Sequence, residues 1–163
     1  MAQRHVPGRG SAVLAVVALT VSAAAGCAVV GERTVACVEW VWFDTPADAL
    51  DDATVAVRTD GPAPVVGTAD LFGVDARVHA VRVVEVLKGS DVRAGDELAV
   101  AATPATCTGE EVYPDGDPLD ASGDLVLLLH RDEDAGLWRT ITPEHGVVPA
   151  TVDGHVPDSW PAG

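Results

Sequence analysis

Apolar positions along this chain fall into two regimes. From Ser11 to Ala25 the sequence SAVLAVVALTVSAAA is uncharged and mostly apolar, and beyond it apolar residues come in short groups broken by Gly, Pro and Asp. A spanning helix needs about 20 apolar residues to cross a hydrocarbon core of about 30 Å, so the first run is short for a permanent anchor. It has no polar face and Gly8 and Gly10 flank it, which also argues against a buried helix of a folded core. Arg4, His5 and Arg9 precede it and no acidic residue occurs before Glu32, the build of a secretory signal over residues 1–26.

The later groups predict strands. Val38-Glu39-Trp40-Val41-Trp42-Phe43 alternates and then turns aromatic, which predicts an opening strand with Trp40 and Trp42 on one face. Thr45-Pro46-Ala47-Asp48 reads as a helix start, with Thr45 as cap, Pro46 at the first helical position and Asp48 near the positive end, and the helix stops around Asp51-Asp52. Further strands are expected at Thr54–Arg58 and Val65–Ala69, with a turn at Thr59-Asp60-Gly61-Pro62 between them. Arg77 to Leu87 is the longest β-type stretch, and its apolar face slips between Val83 and Val86, the mark of a bulge or sharp bend. Glu97–Ala102 follows. Leu125 to Leu129 is too continuously apolar for a half-exposed strand and predicts a central one. Asp132–Gly136 then turns it into Leu137–Ile141 as a hairpin, and a last short strand is expected at Val147-Val148. Five to seven strands and one short helix predict a mainly β domain over residues 37–163, a small closed or nearly closed barrel.

The early run ends in Ala23-Ala24-Ala25-Gly26-Cys27. Small residues ahead of a Cys resemble the lipobox of bacterial lipoproteins, although Ala24 stands where that family more often has Leu. The resemblance implies cleavage before Cys27 and diacylglyceryl on its thiol. Two acyl chains hold a protein stably at a membrane, where one is marginal. The competing reading is plain secretion, because Ala23-x-Ala25 also fits an ordinary signal-peptidase site. The chain has three Cys. With Cys27 lipidated, Cys37 and Cys107 remain to pair in an oxidising compartment, the alternative being two free thiols. Residues 27–36 then form a tether from the lipidated Cys, reaching roughly 35 Å when extended.

A second resemblance rests on the stretch Val81 to Val100. It carries V-x-V-x-x-V-L-K-G, then G-D-x-L-x-V, with Cys107 downstream. This looks like bacterial exported OB-type domains related to netrin and metalloproteinase-inhibitor modules, and it implies an OB-like barrel. The inhibitors' zinc-chelating N-terminal Cys does not carry over, since Cys27 is expected to be lipidated and Cys37 is internal. Fold likeness alone therefore supplies no activity.

Charge narrows the partners. The 163 residues hold ten Lys and Arg against 25 Asp and Glu, for −15, and no two basic residues are adjacent. Nucleic acid is excluded as a partner, because phosphate contacts need clustered cations. Loss of residues 1–26 removes Arg4 and Arg9 and leaves the mature chain at −17. That charge repels an anionic membrane, so lipid and not electrostatics must hold the chain there. Heavy use of Ala, Val, Asp and Arg with a single Lys fits a high-GC Gram-positive source, which places the chain on the outer face of the cell membrane.

Catalytic signatures are missing: there is no G-x-S-x-G, phosphate loop, dinucleotide fingerprint or H-E-x-x-H. Ser90, Ser122 and Ser159 sit in turn-like settings, and His79, His130, His145 and His155 are scattered as independent surface or strand-edge residues. Asp115, Asp117 and Asp120 put three carboxylates on a Gly- and Pro-rich loop, a weak candidate for Ca²⁺ without EF-hand spacing. The plainer reading is a solvated acidic loop. Trp40 and Trp42, exposed, would stack on a glycan or partner protein, and buried would anchor the core. The expectation is a monomeric, non-catalytic envelope lipoprotein without cofactor, a binding module for an envelope protein or glycan, or else a structural or cation-binding component.

Overall fold

Five successive apolar residues, Leu125 to Leu129, organise the domain. Strand geometry sends alternate side chains to opposite faces, so such a run must be covered on both sides. In the computed structural model, which describes residues 38–104 and 111–161, that is what happens. Leu125, Leu127 and Leu129 pack with Val55, Val57, Val81, Val100 and Trp138. Val126 and Leu128 face the other way, against Phe43, Ala49, Ala53, Ala56, Ile141 and Val148. Burying each such side chain stabilises the fold by about 1.5–3 kcal/mol.

The elements run α1 (Pro46–Asp52), β1 (Val55–Gly61), β2 (Val65–Leu71), β3 (Val74–Arg82), β4 (Glu85–Lys88), β5 (Glu97–Ala101), a 3₁₀ turn (Pro118–Asp120), β6 (Gly123–Asp132), β7 (Leu137–Thr140) and β8 (Val147–Pro149). Among the described residues the eight strands form one sheet ordered β2-β3-β5-β7-β6-β1-β4, with β8 also on β6. All ladders are antiparallel except β5 with β7. Among the described residues the fold is thus mainly β with a single short α-helix, as expected.

α1 begins as its sequence dictates. Thr45 Oγ1 accepts from the Asp48 amide at 3.2 Å while the Asp48 carboxylate accepts from the Thr45 amide at 3.2 Å, and Pro46 opens the helix. Its far end is capped from outside: Lys88 Nζ donates to the Leu50 and Asp51 carbonyls at 2.9 and 2.7 Å. These are two of the carbonyls a helix end leaves without partners. The chain's one Lys therefore clips α1 to β4.

Four expectations need correction. Residues 38–43 form no strand, because no ladder reaches them and the segment lies across the sheet as an extended strap. The turn expected at Thr59–Pro62 begins late, since Thr59, Asp60 and Gly61 still pair with Leu125, Asp124 and Gly123. The longest strand is β6, because the Arg77–Leu87 stretch breaks in two. The break falls at Val83-Val84, where an irregularity was expected. Val83 N donates to Asp96 O at 2.9 Å and Val84 N to Arg58 O at 2.8 Å, so one bent stretch serves β5 in its first half and β1 in its second.

That partner exchange curls the sheet without closing it. The pairing path ends at β2 and β4, and among the described residues no ladder joins these edges. The OB-like barrel expected from the sequence is an open, bent sheet. Signal and tether residues lie outside the described residues.

Candidate functional site

The loop between β7 and β8 builds the most unusual surface of the domain. His145 is held there at only 3 % exposure, its amide donating to Thr142 Oγ1 at 3.0 Å. Gly146 follows because nothing larger fits: a Cβ would come within 2.2 Å of Thr140 Cβ. Around the imidazole stand three aromatic rings. Trp42 meets it edge-on with centroids 4.3 Å apart, Phe43 edge-on at 6.0 Å, and Trp160 tilted at 4.3 Å. Trp160 reaches this place because its indole Nε1 donates to the Phe43 carbonyl at 2.9 Å, which folds the C-terminal segment back onto the strap.

Burial lowers the His145 pKa below the ordinary imidazole value, and the neighbouring Glu144 only partly opposes this, so the ring is uncharged at neutral pH. Its Nδ1 is buried and has no hydrogen-bond partner among the described residues. A group left so costs about 1–3 kcal/mol, which makes it an unusual feature to retain. Above the ring Trp42 is 68 % exposed, and Val41 beside it 65 %. Trp42, Glu144, His145, Val147 and Trp160 line an open cleft of about 440 Å³, within the roughly 300–1,000 Å³ typical of small-molecule sites.

Trp40 does not share this surface. It is half-buried against Phe72, edge-on at 5.1 Å, and Arg139 lies over the same Phe72 ring at 5.2 Å. Phe72 and Gly73 form the tip of the β2–β3 hairpin with φ of 56° and 82°. A bulky residue in the left-handed region is strained, and Phe72 is sandwiched between Trp40 and Arg139 in compensation. The expectation that Trp40 and Trp42 stand together on one strand face is therefore corrected, and neither joins the buried core. The cause is the missing ladder along 38–43: each ring follows its own contact instead of a common pleat.

The acidic loop is organised by a cation already in the chain. Asp117 is buried, with Oδ2 at 3.1 Å from Arg77 Nε and 3.0 Å from His79 Nε2, while Oδ1 accepts from the Leu119 amide at 2.9 Å. Arg77 also pairs with Asp120 at 3.0 Å. Asp115 is exposed and makes no ion pair among the described residues. The candidate Ca²⁺ set thus has two of its three carboxylates on Arg77. Among the described residues no three His, Cys, Asp or Glu side chains converge as metal ligands.

His79 is wholly buried and engaged at both nitrogens: Nδ1 donates to the Ala63 carbonyl at 2.9 Å and Nε2 lies 3.0 Å from Asp117 Oδ2. With His145 it departs from the expected surface histidines. His130 bridges Thr54 and Asp52 at 2.9 and 3.0 Å, tying β6 to the end of α1. Ser90, Ser122 and Ser159 are exposed, and none is hydrogen-bonded to a histidine among the described residues. Cys27, Cys37 and Cys107 lie outside the described residues. Sequence reasoning passed over His145 and Arg77 as site residues: nothing local marks either one, because their partners lie from 15 to more than 100 residues away. No known protein family, curated protein or solved structure matches this chain.

Proposed function

We propose that this chain is a non-catalytic lipoprotein of the cell envelope, tethered through lipid on Cys27 at the outer face of the membrane. Its domain acts as a monomeric binding module, with Trp42, His145 and Trp160 as the contact surface. One observation carries the binding role: Trp42 is left 68 % exposed above a buried, neutral histidine in an open cleft, while the next residue, Phe43, is buried in the core. A contiguous apolar patch rimmed by polar residues, here Trp42 and Val41 at the mouth of an aromatic-walled cleft, marks an interaction site. The anchor rests on the Ala23–Cys27 sequence and on the acidity that makes electrostatic attachment impossible.

Two measurements test the two halves. Palmitate labelling of cells producing the chain is expected to disappear in Cys27→Ala, and labelling that persists refutes the anchor. Non-lipidated mature chain is expected to be retained on washed envelope fragments in a Trp42-dependent way. Retention that is equal in Trp42→Ala, or no retention at all, refutes the binding role of this surface.

A further inference from the structure

Resting on the binding-module reading, we propose that the Trp42–Trp160 cleft takes an uncharged sugar ring, and so that the module binds a neutral glycan. Three features of the cleft select that chemistry. Trp42 offers a broad exposed π-surface, which suits the flat C–H face of a pyranose and gains from its desolvation without requiring charge. Glu144 lines the same cleft and supplies carboxylate oxygens that accept from sugar hydroxyls. His145 forms the floor, held 3 % exposed and uncharged between the indoles, so the cleft offers an apolar ring surface and no cation to a ligand.

Charge removes the alternatives. The cleft lining includes Glu144 and no Lys or Arg, and the mature chain carries −17. A uronate- or phosphate-bearing polymer would meet only repulsion there. A bilayer surface fits no better. Glu39 and Asp44 flank the strap and are both exposed, so pressing Trp42 into an anionic headgroup layer would carry two carboxylates with it. A protein partner needs about 800 Å² on each side with an apolar centre. Here the apolar surface is limited to Trp42, Val41, the part-exposed Val147 and Trp160 and the exposed Pro161 of one cleft of about 440 Å³, edged by Glu39, Asp44 and Glu144.

The test uses non-lipidated mature chain on a panel of soluble oligosaccharides, half neutral and half bearing uronate or phosphate. Vesicles of phosphatidylcholine and of phosphatidylglycerol are run beside it. Binding is expected to neutral members alone. It should weaken at least about tenfold in Trp42→Ala, equivalent to about 1.4 kcal/mol, and severalfold in Glu144→Gln, with the circular dichroism of both variants that of the native fold and the melting temperature unchanged in the exposed Glu144→Gln. Binding confined to acidic glycans, binding to vesicles, insensitivity to both substitutions, or no binding to any neutral member overturns the inference. Trp42-dependent retention on envelope without glycan binding overturns this inference alone, whereas loss of that retention overturns the binding role beneath it as well.

Discussion

Tyr113 shows how far one residue's chemistry depends on its neighbours. Its hydroxyl donates to the Ala102 carbonyl at 3.0 Å, and Arg77 lies over its ring at 5.7 Å. Burial, with Asp117 adding to it, pushes the phenol pKa up to about 12 against the opposing pull of Arg77. It is the chain's only Tyr, so phenolate absorbance reports it alone. In the native protein the phenolate is expected to rise with a midpoint near 12, and in denaturant near the ordinary 10. A native midpoint at the ordinary value would show that the loop does not enclose the ring. Because the folded pKa is the higher one, stability from this group is complete below about pH 10 and is lost as pH rises through the folded value.

His145 has the opposite sign. Its folded pKa lies below the unfolded one, so the unfolded chain binds the proton first on acidification. Stability is therefore complete above the unfolded value of about 6.5 and is lost as pH falls through the lower folded value. The difference in denaturation free energy between wild type and His145→Gln is expected to shrink across that window. A difference independent of pH would mean that the ring is not desolvated. Neither residue announces itself in sequence: one Tyr in a Pro- and Asp-rich loop and one His before a Gly read as surface features until their distant partners are known.

Between elements, the decisive contacts are few and polar. The 3₁₀ turn at Pro118–Asp120 has no apolar face of its own beyond Leu119, and it is fixed to β3 through Asp117 on Arg77 and His79. Removing the Asp117 carboxylate leaves the buried His79 Nε2 and the Leu119 amide without their acceptor, at about 1–3 kcal/mol for each buried group left so, while the partly exposed Arg77 keeps Asp120. Asp117→Ala is expected to destabilise by that order in a denaturant titration, while Asp115→Ala, whose side chain is exposed, changes little. Equal, small effects would mean that the acidic loop is solvated, as its composition alone predicts. Most elements themselves were legible. The α1 cap needs only Thr45, Pro46 and Asp48, which are local, and β6 needs only its unbroken run of apolar residues. The strap was misread because alternation in Val38–Phe43 states which residues are apolar and says nothing about whether a neighbouring strand is free to pair.

For the whole molecule, length and charge constrain more than any motif. If the chain is exported as proposed, a mature charge of −17 rules out electrostatic attraction as what holds it at a membrane, which is the role the proposed lipid on Cys27 would fill. The same compartment predicts that Cys37 and Cys107 are joined. Their separation of 70 residues makes the crosslink worth about 4 kcal/mol in the chain-entropy account. Thiol titration of the unfolded, unreduced, lipidated chain is expected to find no free thiol, and two free thiols refute the pairing. On the same scale, the bend at Val83-Val84 curls the sheet by turning one stretch toward two different partners, and it stays open because no ladder among the described residues joins β2 to β4.

Local order is what the sequence determined by itself: the short capped helix, seven of the strand positions and the bend within Arg77–Leu87. Each depends on residues within a few positions of one another, where propensity, capping and side-chain period act directly. Tertiary structure alone decided the rest. It left the sheet open, drew the acidic loop onto Arg77, parted Trp40 from Trp42, and set a neutral histidine beneath an exposed indole. Those outcomes depend on which distant groups arrive at the same place, and pairing between residues dozens of positions apart leaves no periodic trace in the chain.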